Sequence, residues 1–590
     1  MVNKMNDYVI KSTYKSFIVV SILSALIATV GMMIDNIVVG RYLGTECLAA
    51  MGIVSPISMI LSAIGNISSS GGATMAAREL GKGNKEKMRS VFTISMGYTI
   101  VTGTVMMLAI FFFAPQIAML LGAKDSLMDP TVAYLRGIAV GSIPTIMMPN
   151  FLGFVKLDGS NRLPLTVIGA MSVVDVVLDL LVAIVFKQGM FWMAMATSIG
   201  YFVAVAICFT HFTKDYNTLK FIKPLEAWNE LKEMVSTGAA TALSRVCDTL
   251  KMIIFNNMMV IVAGAGAVAA LNVRQQVYNL VGSLIMGAGQ ALMPMAALFF
   301  GEEDENSLKT GIKVSIKIGL EISIVAAIVL LFIPSVFVNA LGVKEPEIVS
   351  MAEYGIRIFA ISMPVRLIVV LWNNYYQSTR RNILAIVISI LQAFGFTVLA
   401  AVIMFKPLQA NGIFLSFLVG EVLTLIFIYV YAGIKNKKFS FAIDKCMLLP
   451  EGFGKGVIRR WDVSIGNNIN EVTALSEKIQ VRAKEENFEH KSLNVIALAI
   501  EEMAGNVIKH AFNEGEKRWL DILIIQKEDG FILRLRDNGK MFDPLKYLHE
   551  HENDDNLEHM GINLIKNLAD DVSYSRTIGL NNLILTVNNK

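Results

Sequence analysis

The stretch IDNIVVGRYLGTECLAAMGIVSPI, residues 34–57, carries one aspartate, Asp35, in an otherwise apolar run, and its small residues return 220 positions later. Gly44, Ala49 and Ala50 answer to Gly264, Ala269 and Ala270. The same offset holds outward: Gly81 answers to Gly301, and Gly122, Lys124, Tyr134 and Pro144 answer to Gly342, Lys344, Tyr354 and Pro364. Residues 16–434 are therefore a duplication, each half about six apolar spans long. Two homologous six-helix halves are the build of a membrane carrier whose substrate path lies between them. After residue 434 the chain changes character and reads as a soluble domain.

Composition agrees. Of 590 residues, 54% are hydrophobic and 17% charged, too apolar for a soluble protein of this length. Cys47, Cys208, Cys247 and Cys446 are scattered without pair spacing and suggest neither a disulfide framework nor a metal site. The basic residues cluster at helix ends, so the net charge of +4 gives no reason to expect a nucleic-acid partner. The start, MVNKMNDYVIKSTYK, shows no cleavable signal pattern, so residues 16–40 are expected to remain as the first membrane helix.

A membrane-spanning helix needs roughly 20 mostly apolar residues. Such runs fall near 16–40, 47–73, 90–113, 131–153, 163–187, 190–212, 236–264, 276–300, 311–335, 351–376, 382–406 and 410–434. The expectation is a polytopic α-helical protein of the plasma membrane, with twelve transmembrane helices in two six-helix repeats and lipid around them. Lys4, Lys11, Lys15, Arg78, Lys82, Lys85, Lys87, Arg89, Lys214, Lys220, Lys223, Lys232, Lys435, Lys437 and Lys438 fall on one side, which the positive-inside rule makes cytoplasmic, with both termini there. The first lobe is assigned to 10–213 and the second to 236–435. Between them 214–235 holds PLEAWNELKEMV (224–235), which reads as an amphipathic helix on the cytoplasmic face. Residues 436–459 are the linker and 460–590 a cytosolic α/β domain.

In that tail, Leu493, Ile496, Ile500, Met503 and Val507 form a helical stripe. Residues 519–525 and 531–536 read as strands joined across Glu528-Asp529-Gly530. A second helix is expected over 561–571, and a last strand, 583–587, after a turn at Gly579-Leu580-Asn581-Asn582.

Charge inside a membrane asks for a reason, because a lone aspartate there costs several kcal/mol. The first half has Asp35 in span 1, with Asp175 and Asp179 four apart on one face of span 5. Their repeat mates are Phe255, Gly395 and Leu399, so these acids belong to one half alone. One reading is capping, or pairing of Asp35 and Asp179 with Arg41 or Lys187. The other is an ion site: crowded carboxylates in low dielectric repel one another and take up a proton or a sodium ion. In the second half, Asp248 reads either as a second acid site or as a structural pair with Arg245, and the pair is the favoured reading.

Together with KLDGSNRLPL (156–165) and VVDVVLDLL (173–181), residues 34–57 resemble the signatures of the multidrug and toxic compound extrusion (MATE) family. The resemblance covers 10–435. It implies multidrug efflux: antiport of cationic, amphipathic small molecules against H+ or Na+. It also implies a cation site at Asp35, Asp175 and Asp179 with Asn150 and Thr197 as neighbours. The family usually has an asparagine where this chain has Asp175. The span-10 counterpart of the carboxy-lobe acids of some members is Arg366, which disfavours a sodium site there.

Along the tail, Glu502, Asn506 and His510 stand at i, i+4 and i+8 on the side of the helix away from the core stripe. Asp537-Asn538-Gly539 follows a strand, where a carboxylate can accept from an adenine amino group and a glycine lets the base approach. Gly561 opens a helix, whose free N–H groups suit phosphate. Asn506 offers an oxygen to Mg2+, and Glu502 is placed as a general base. EEMAGNVIKHA (501–511), DNGKMFDP (537–544) and HMGINLIKNLADDVSYS (559–575) resemble the boxes of the GHKL ATP-binding fold, most closely the anti-sigma-factor serine kinase type. By that resemblance the tail is a GHKL ATPase-like sandwich that binds ATP and Mg2+. Asn506 then ligands the metal, Glu502 activates a serine hydroxyl or water, and Asp537 reads adenine. His559 and Asn563 stand where smaller residues are common. GFGKG (452–456) lacks Walker A spacing, which disfavours a P-loop pump. No phosphoacceptor histidine helix precedes the boxes, which argues against a histidine kinase.

Three functions remain open: an ion-coupled exporter with a regulatory kinase-like tail; a membrane sensor whose tail phosphorylates a cytosolic protein; and a flippase for lipid-linked compounds. The acids of spans 1 and 5 favour the first over the third.

Overall fold

The computed structural model describes residues 7–588 apart from 161, 215–216, 342–344, 438, 440–441, 455, 486–489, 514 and 551–559. Two compact units emerge. One is the helical carrier, from Ser16 to Glu302 and Gly311 to Leu449. The other is built around the tail from Pro450 and also takes in the chain up to Lys15 and the segment Glu303–Thr310.

Among the described residues nine helices are long and apolar enough to cross a membrane, and a bent pair makes ten. Spans 1 to 3 are Tyr8–Leu43, Glu46–Gly81 and Lys85–Phe112. Span 4 is the pair Asp125–Val140 and Ser142–Leu157, bent by 47°. Spans 5 and 6 are Leu163–Val185 and Met190–Thr213; spans 8, 9 and 10 are Gly266–Gly301, Glu305–Phe332 and Pro346–Ser378. The helix Asn382–Lys435 breaks at Gln409, whose φ of 51° and ψ of −133° lie outside any helix, and so supplies spans 11 and 12. The remaining expected span, 236–264, lies inside the helical segment Ala227–Val281, in which Gly264 takes a left-handed φ of 69° where span 7 gives way to span 8.

That long helix corrects one expectation. Residues 227–235 do not form a separate helix on the membrane face; they run on into span 7. The segment contains neither proline nor glycine, and Glu230 is buried, accepting from Ser90 Oγ of span 3 at 2.5 Å. Gly238 then lets the helix lie against Ile67 of span 2: a Cβ there would stand 2.2 Å from the Ile67 carbonyl oxygen. The duplication has a physical counterpart. Repeat mates Gly81 and Gly301 lie against each other, a Cβ on Gly81 meeting the Leu298 carbonyl at 2.2 Å and one on Gly301 the Arg78 carbonyl at 2.1 Å. Small residues are what allow two membrane helices this backbone approach.

The tail is a five-stranded antiparallel sheet in the order β1-β2-β3-β5-β4. Its strands are β1 (Arg459–Gly466), β2 (Trp519–Gln526), β3 (Gly530–Asp537), β4 (Asp571–Thr577) and β5 (Leu580–Asn588). Helix α1 (Ile469–Glu485) precedes α2 (His490–Ala499), which passes through a π turn (Ile500–Ala504) into α3 (Gly505–Ala511); α4 (Pro544–Glu550) and α5 (Met560–Leu568) follow. The stripe Leu493, Ile496, Ile500, Met503 and Val507 is buried against Leu520, Ile522, Leu533, Leu535, Leu583 and Leu585. Strand alternation sends those apolar residues to the helix side and Asp521, Arg534 and Arg536 to the other.

The tail differs from expectation in three places. The helix expected to residue 571 stops at Leu568, and 571–577 is β4. The turn before β5 is the tighter Ile578-Gly579, with both residues at positive φ (52° and 73°), the conformation of a two-residue hairpin turn. Strand β1 was not expected, because its Arg460, Asp462 and Ser464 face disguises the alternation of Trp461, Val463 and Ile465.

The polar sheet face binds Glu303–Thr310. Asp304, 1% exposed, accepts from Arg460 at 2.6 Å, from Arg534, and from Ser307 Oγ at 2.6 Å, with Arg536 at 3.9 Å. It also caps span 9, accepting from Ser307 N at 3.1 Å. Its repeat mate Asn84 caps span 3 in the same way, through Lys87 N at 2.9 Å. Burial disfavours the Asp304 charge, but Arg534, Arg460 and Arg536 hold its carboxyl well below the usual carboxylate range. Its stabilising contribution is therefore present at neutral pH and is lost only as pH falls through that low value.

Asp304→Ala removes the carboxylate these guanidiniums share, a loss of about 3–5 kcal/mol for a broken buried pair. The expected result is a lower unfolding midpoint for the full-length protein and earlier protease cleavage within 459–588. Asp304→Leu combined with Arg534→Met should recover part of the loss.

Candidate functional site

Spans 1 and 5 each end in a π turn just past an aspartate: Val39–Leu43 follows Asp35, and Leu181–Val185 follows Asp179. Such turns change the phase of a helix and often mark functional positions. Asp35, Asp175 and Asp179 come together, one carboxylate oxygen of each within 4.8 Å of the others. Asp175 and Asp179 are buried. At that separation three carboxylates repel one another, which favours a proton on one of them or a cation between them. One oxygen of each acid is buried without a partner. Among the described residues none of the three forms an ion pair, so Arg41 and Lys187 do not neutralise them. Three carboxylates without a cation offer a site for a proton or a small metal ion, the groups that carry charge compensation into low dielectric.

Of the expected neighbours, Thr197 lies beside Asp175. Asn150 is fully buried in span 4 and turns its amide toward Met96 of span 3, Nδ2 to Sδ 3.8 Å, leaving Oδ1 unpartnered. Tyr134 and Tyr201 stand within electrostatic reach of all or most of the acids. Neither was expected; a tyrosine in an apolar span carries no signal by itself. Asp248 is paired, but with Lys251 at 2.6 Å rather than with Arg245. Lys251 is buried on the same helix face three residues on, whereas Arg245 is exposed.

In the tail, the π turn Ile500–Ala504 contains Glu502 and precedes Asn506. Both side chains are half-buried and have no hydrogen-bond partner among the described residues. Gly561, in the first turn of α5, faces Glu502: an added Cβ would fall 1.9 Å from Oε2. Asp537 is buried; its Oδ1 accepts from Gly539 N at 2.7 Å and Asn581 Nδ2 at 2.8 Å, which leaves Oδ2 for a ligand. Burial pushes the Asp537 carboxyl up to about 6. A Cβ on Gly539 would stand 2.4 Å from the Ala511 carbonyl oxygen, so the turn after β3 lies tight against the end of α3. Asn581 was expected only as a turn residue; it is the group that fixes Asp537. His510 stacks on Phe542, centroids 4.6 Å apart, beside Tyr547 at 5.4 Å, forming an aromatic wall. His559 lies outside the described residues.

The oxygens of Glu502 and Asn506, the glycine at the start of α5 and the open oxygen of Asp537 together fit a purine nucleotide with a divalent cation. The fit rests on oxygens left without partners and on the close backbone approach at Gly539.

Comparison with known proteins agrees with both halves. The MatE family matches residues 21–181 and 240–403, more than half of the chain, and the Histidine kinase-like ATPase domain matches 467–587. The chain is 22% identical over 440 residues to Multidrug export protein MepA of Staphylococcus saprophyticus, covering 73% of this chain and 95% of that protein. It is also 22% identical over 447 residues to Probable multidrug resistance protein YoeA of Bacillus subtilis, covering 72% and 93%. An outward-facing multidrug resistance MATE family transporter superposes with a TM-score of 0.67 at 18% identity, over 73% of this chain and 96% of that one. A MATE structure in the bent conformation gives 0.67 at 18%, over 72% and 96%. A duplicated multi-pass helical carrier with three clustered acids, followed by a nucleotide-type sandwich, has this meaning: the chain belongs to the MatE family of membrane transporters and carries a histidine kinase-like ATPase domain at its carboxy end.

Proposed function

We propose that this protein exports cationic, amphipathic small molecules in exchange for H+ or Na+ across the plasma membrane, with both termini cytoplasmic and with its tail binding Mg·ATP. The supporting observation is the cluster of Asp35, Asp175 and Asp179 without a cation. In one orientation the acids hold the coupling ion. A cationic substrate competes for the same negative field, so loading one releases the other, and each orientation change carries near-neutral contents. The names of MepA and YoeA, multidrug export and resistance proteins, support the substrate class.

In the tail, Asn506 would hold Mg2+, Asp537 the adenine amino group, and the N–H groups at the start of α5 the phosphates. Bound Mg·ATP would supply a transferable phosphoryl group and the metal to offset its charge. Glu502 is then placed to take the proton of an incoming serine, threonine or water hydroxyl. A second reading, a sensor that phosphorylates a cytosolic protein, draws on the position of Glu502 against Gly561. One molecule can do both.

Asp35→Asn and Asp179→Asn should each abolish efflux of a fluorescent cation from proteoliposomes under an imposed proton or sodium gradient, with the protein still monodisperse. Wild-type rates in both variants would place the coupling site elsewhere. Efflux should also proceed without hydrolysable ATP.

Calorimetry on the full-length protein should detect Mg·ATP binding. Asn506→Ala should weaken it by about ten-fold or more, as expected for a lost metal ligand. Glu502→Ala should spare binding and stop any phosphate transfer.

Affinity for Mg·ATP should fall as pH drops below about 6, where Asp537 takes a proton and its oxygen ceases to accept from the adenine amino group. Unchanged affinity between pH 7 and pH 5 would remove Asp537 from adenine recognition.

A further inference from the structure

The second lobe has a charged cluster of its own, on the spans that answer to those around the acid site, with more cations than carboxylates. Glu421 of span 12 is the repeat mate of Tyr201, and Phe417 is the mate of Thr197. Glu421 accepts from Arg366 of span 10 and from Gln392 Nε2 of span 11 at 2.8 Å. Arg366 also donates to the Tyr278 hydroxyl. Lys251 pairs with Asp248 at 2.6 Å. The fifth charge is Arg274 of span 8, 4% exposed. Its guanidinium carbon sits 3.7 Å from the Phe417 ring centroid and 5.3 Å from those of Tyr278 and Phe359. Its one recorded hydrogen bond goes to Gln275 Oε1 at 3.3 Å, and it has no carboxylate partner among the described residues.

Three cations, Lys251, Arg274 and Arg366, therefore face two carboxylates, Asp248 and Glu421, each already engaged. Aromatic faces return less than the burial of a full charge costs. They do, however, fix the plane of a guanidinium and leave its N–H edge to form a forked pair with a carboxylate. The first lobe presents three acids without a base; the second presents a surplus guanidinium.

We propose that Arg274 is the group that receives the carboxylate of amphipathic substrates bearing an acidic group as well as a cationic one. This deepens the export reading above and rests on it for the word substrates; the anion site itself is a binding property and is tested as one.

Rhodamine 110, a zwitterion with a free carboxylate, and its methyl ester rhodamine 123, a cation, differ in that one group. Their affinities for the detergent-purified full-length protein are read by fluorescence polarisation without any gradient, and their efflux is read separately in proteoliposomes. The wild type should bind the free acid more tightly than the ester. Arg274→Gln should lower the acid-to-ester affinity ratio by about ten-fold or more, the effect of removing one partner of a buried charge pair. Arg274→Lys, which keeps the charge and loses the fork, should lower it less. An unchanged ratio in both variants, or a wild type that prefers the ester, overturns the anion site even if both dyes are exported. A ratio that falls as expected while neither dye leaves the vesicles upholds the anion site and overturns the export reading instead.

Discussion

The cost of placing charge in low dielectric organises this molecule. Asp35, Asp175 and Asp179 cannot all be ionised within 4.8 Å of one another without a compensating cation. Among the described residues none forms an ion pair with them, which leaves a proton or a cation from outside to offset their charge. The π turns that close spans 1 and 5 set the phase of their aspartates, the bent span 4 brings Tyr134 to them, and span 6 brings Thr197 and Tyr201. The two halves meet in backbone contact at Gly81 and Gly301, a crossing to which each repeat contributes the same glycine.

The same rule takes another form in the tail. Asp304 is buried and charged because three arginines of the sheet surround it. Its repeat mate Asn84 performs the same capping task without charge; at 304 the carboxylate caps the helix and also receives the sheet's arginines. Helices cover one face of that sheet and leave the polar face to Glu303–Thr310. The nucleotide-type residues sit at the far ends of α3, β3 and the start of α5.

Much of this was legible in the chain. The offset of 220 residues identified the halves; at Gly81 and Gly301 the glycine is kept by close backbone approach, and at Gly44, Gly122 and Gly264 by a positive φ. The three acids stood out because charge in an apolar run has few innocent explanations. The stripe from Leu493 to Val507 located the main tail helix, since a helix buried on one side keeps its period. What stayed hidden was relational. Asn581 looks like any turn asparagine until β5 pairs with β3 and sets it against Asp537. Glu421 and Arg274 read as isolated charges until spans 8, 10 and 12 meet. Strand β1 carries polar residues on a face that only Glu303–Thr310 makes dry. The fusion of 227–235 with span 7 was missed because a charged amphipathic segment and the cytoplasmic end of a span look alike in sequence.

The central claim is that substrate and coupling ion exclude each other at the three acids. The direct measurement is ion release on substrate binding: a cationic dye is titrated into purified protein in weak buffer while a pH electrode and a sodium-selective electrode follow the solution. The account predicts that protons or sodium ions appear in proportion to the dye bound, and that Asp35→Asn removes this release. Saturable binding of the dye with no release of either ion would contradict it.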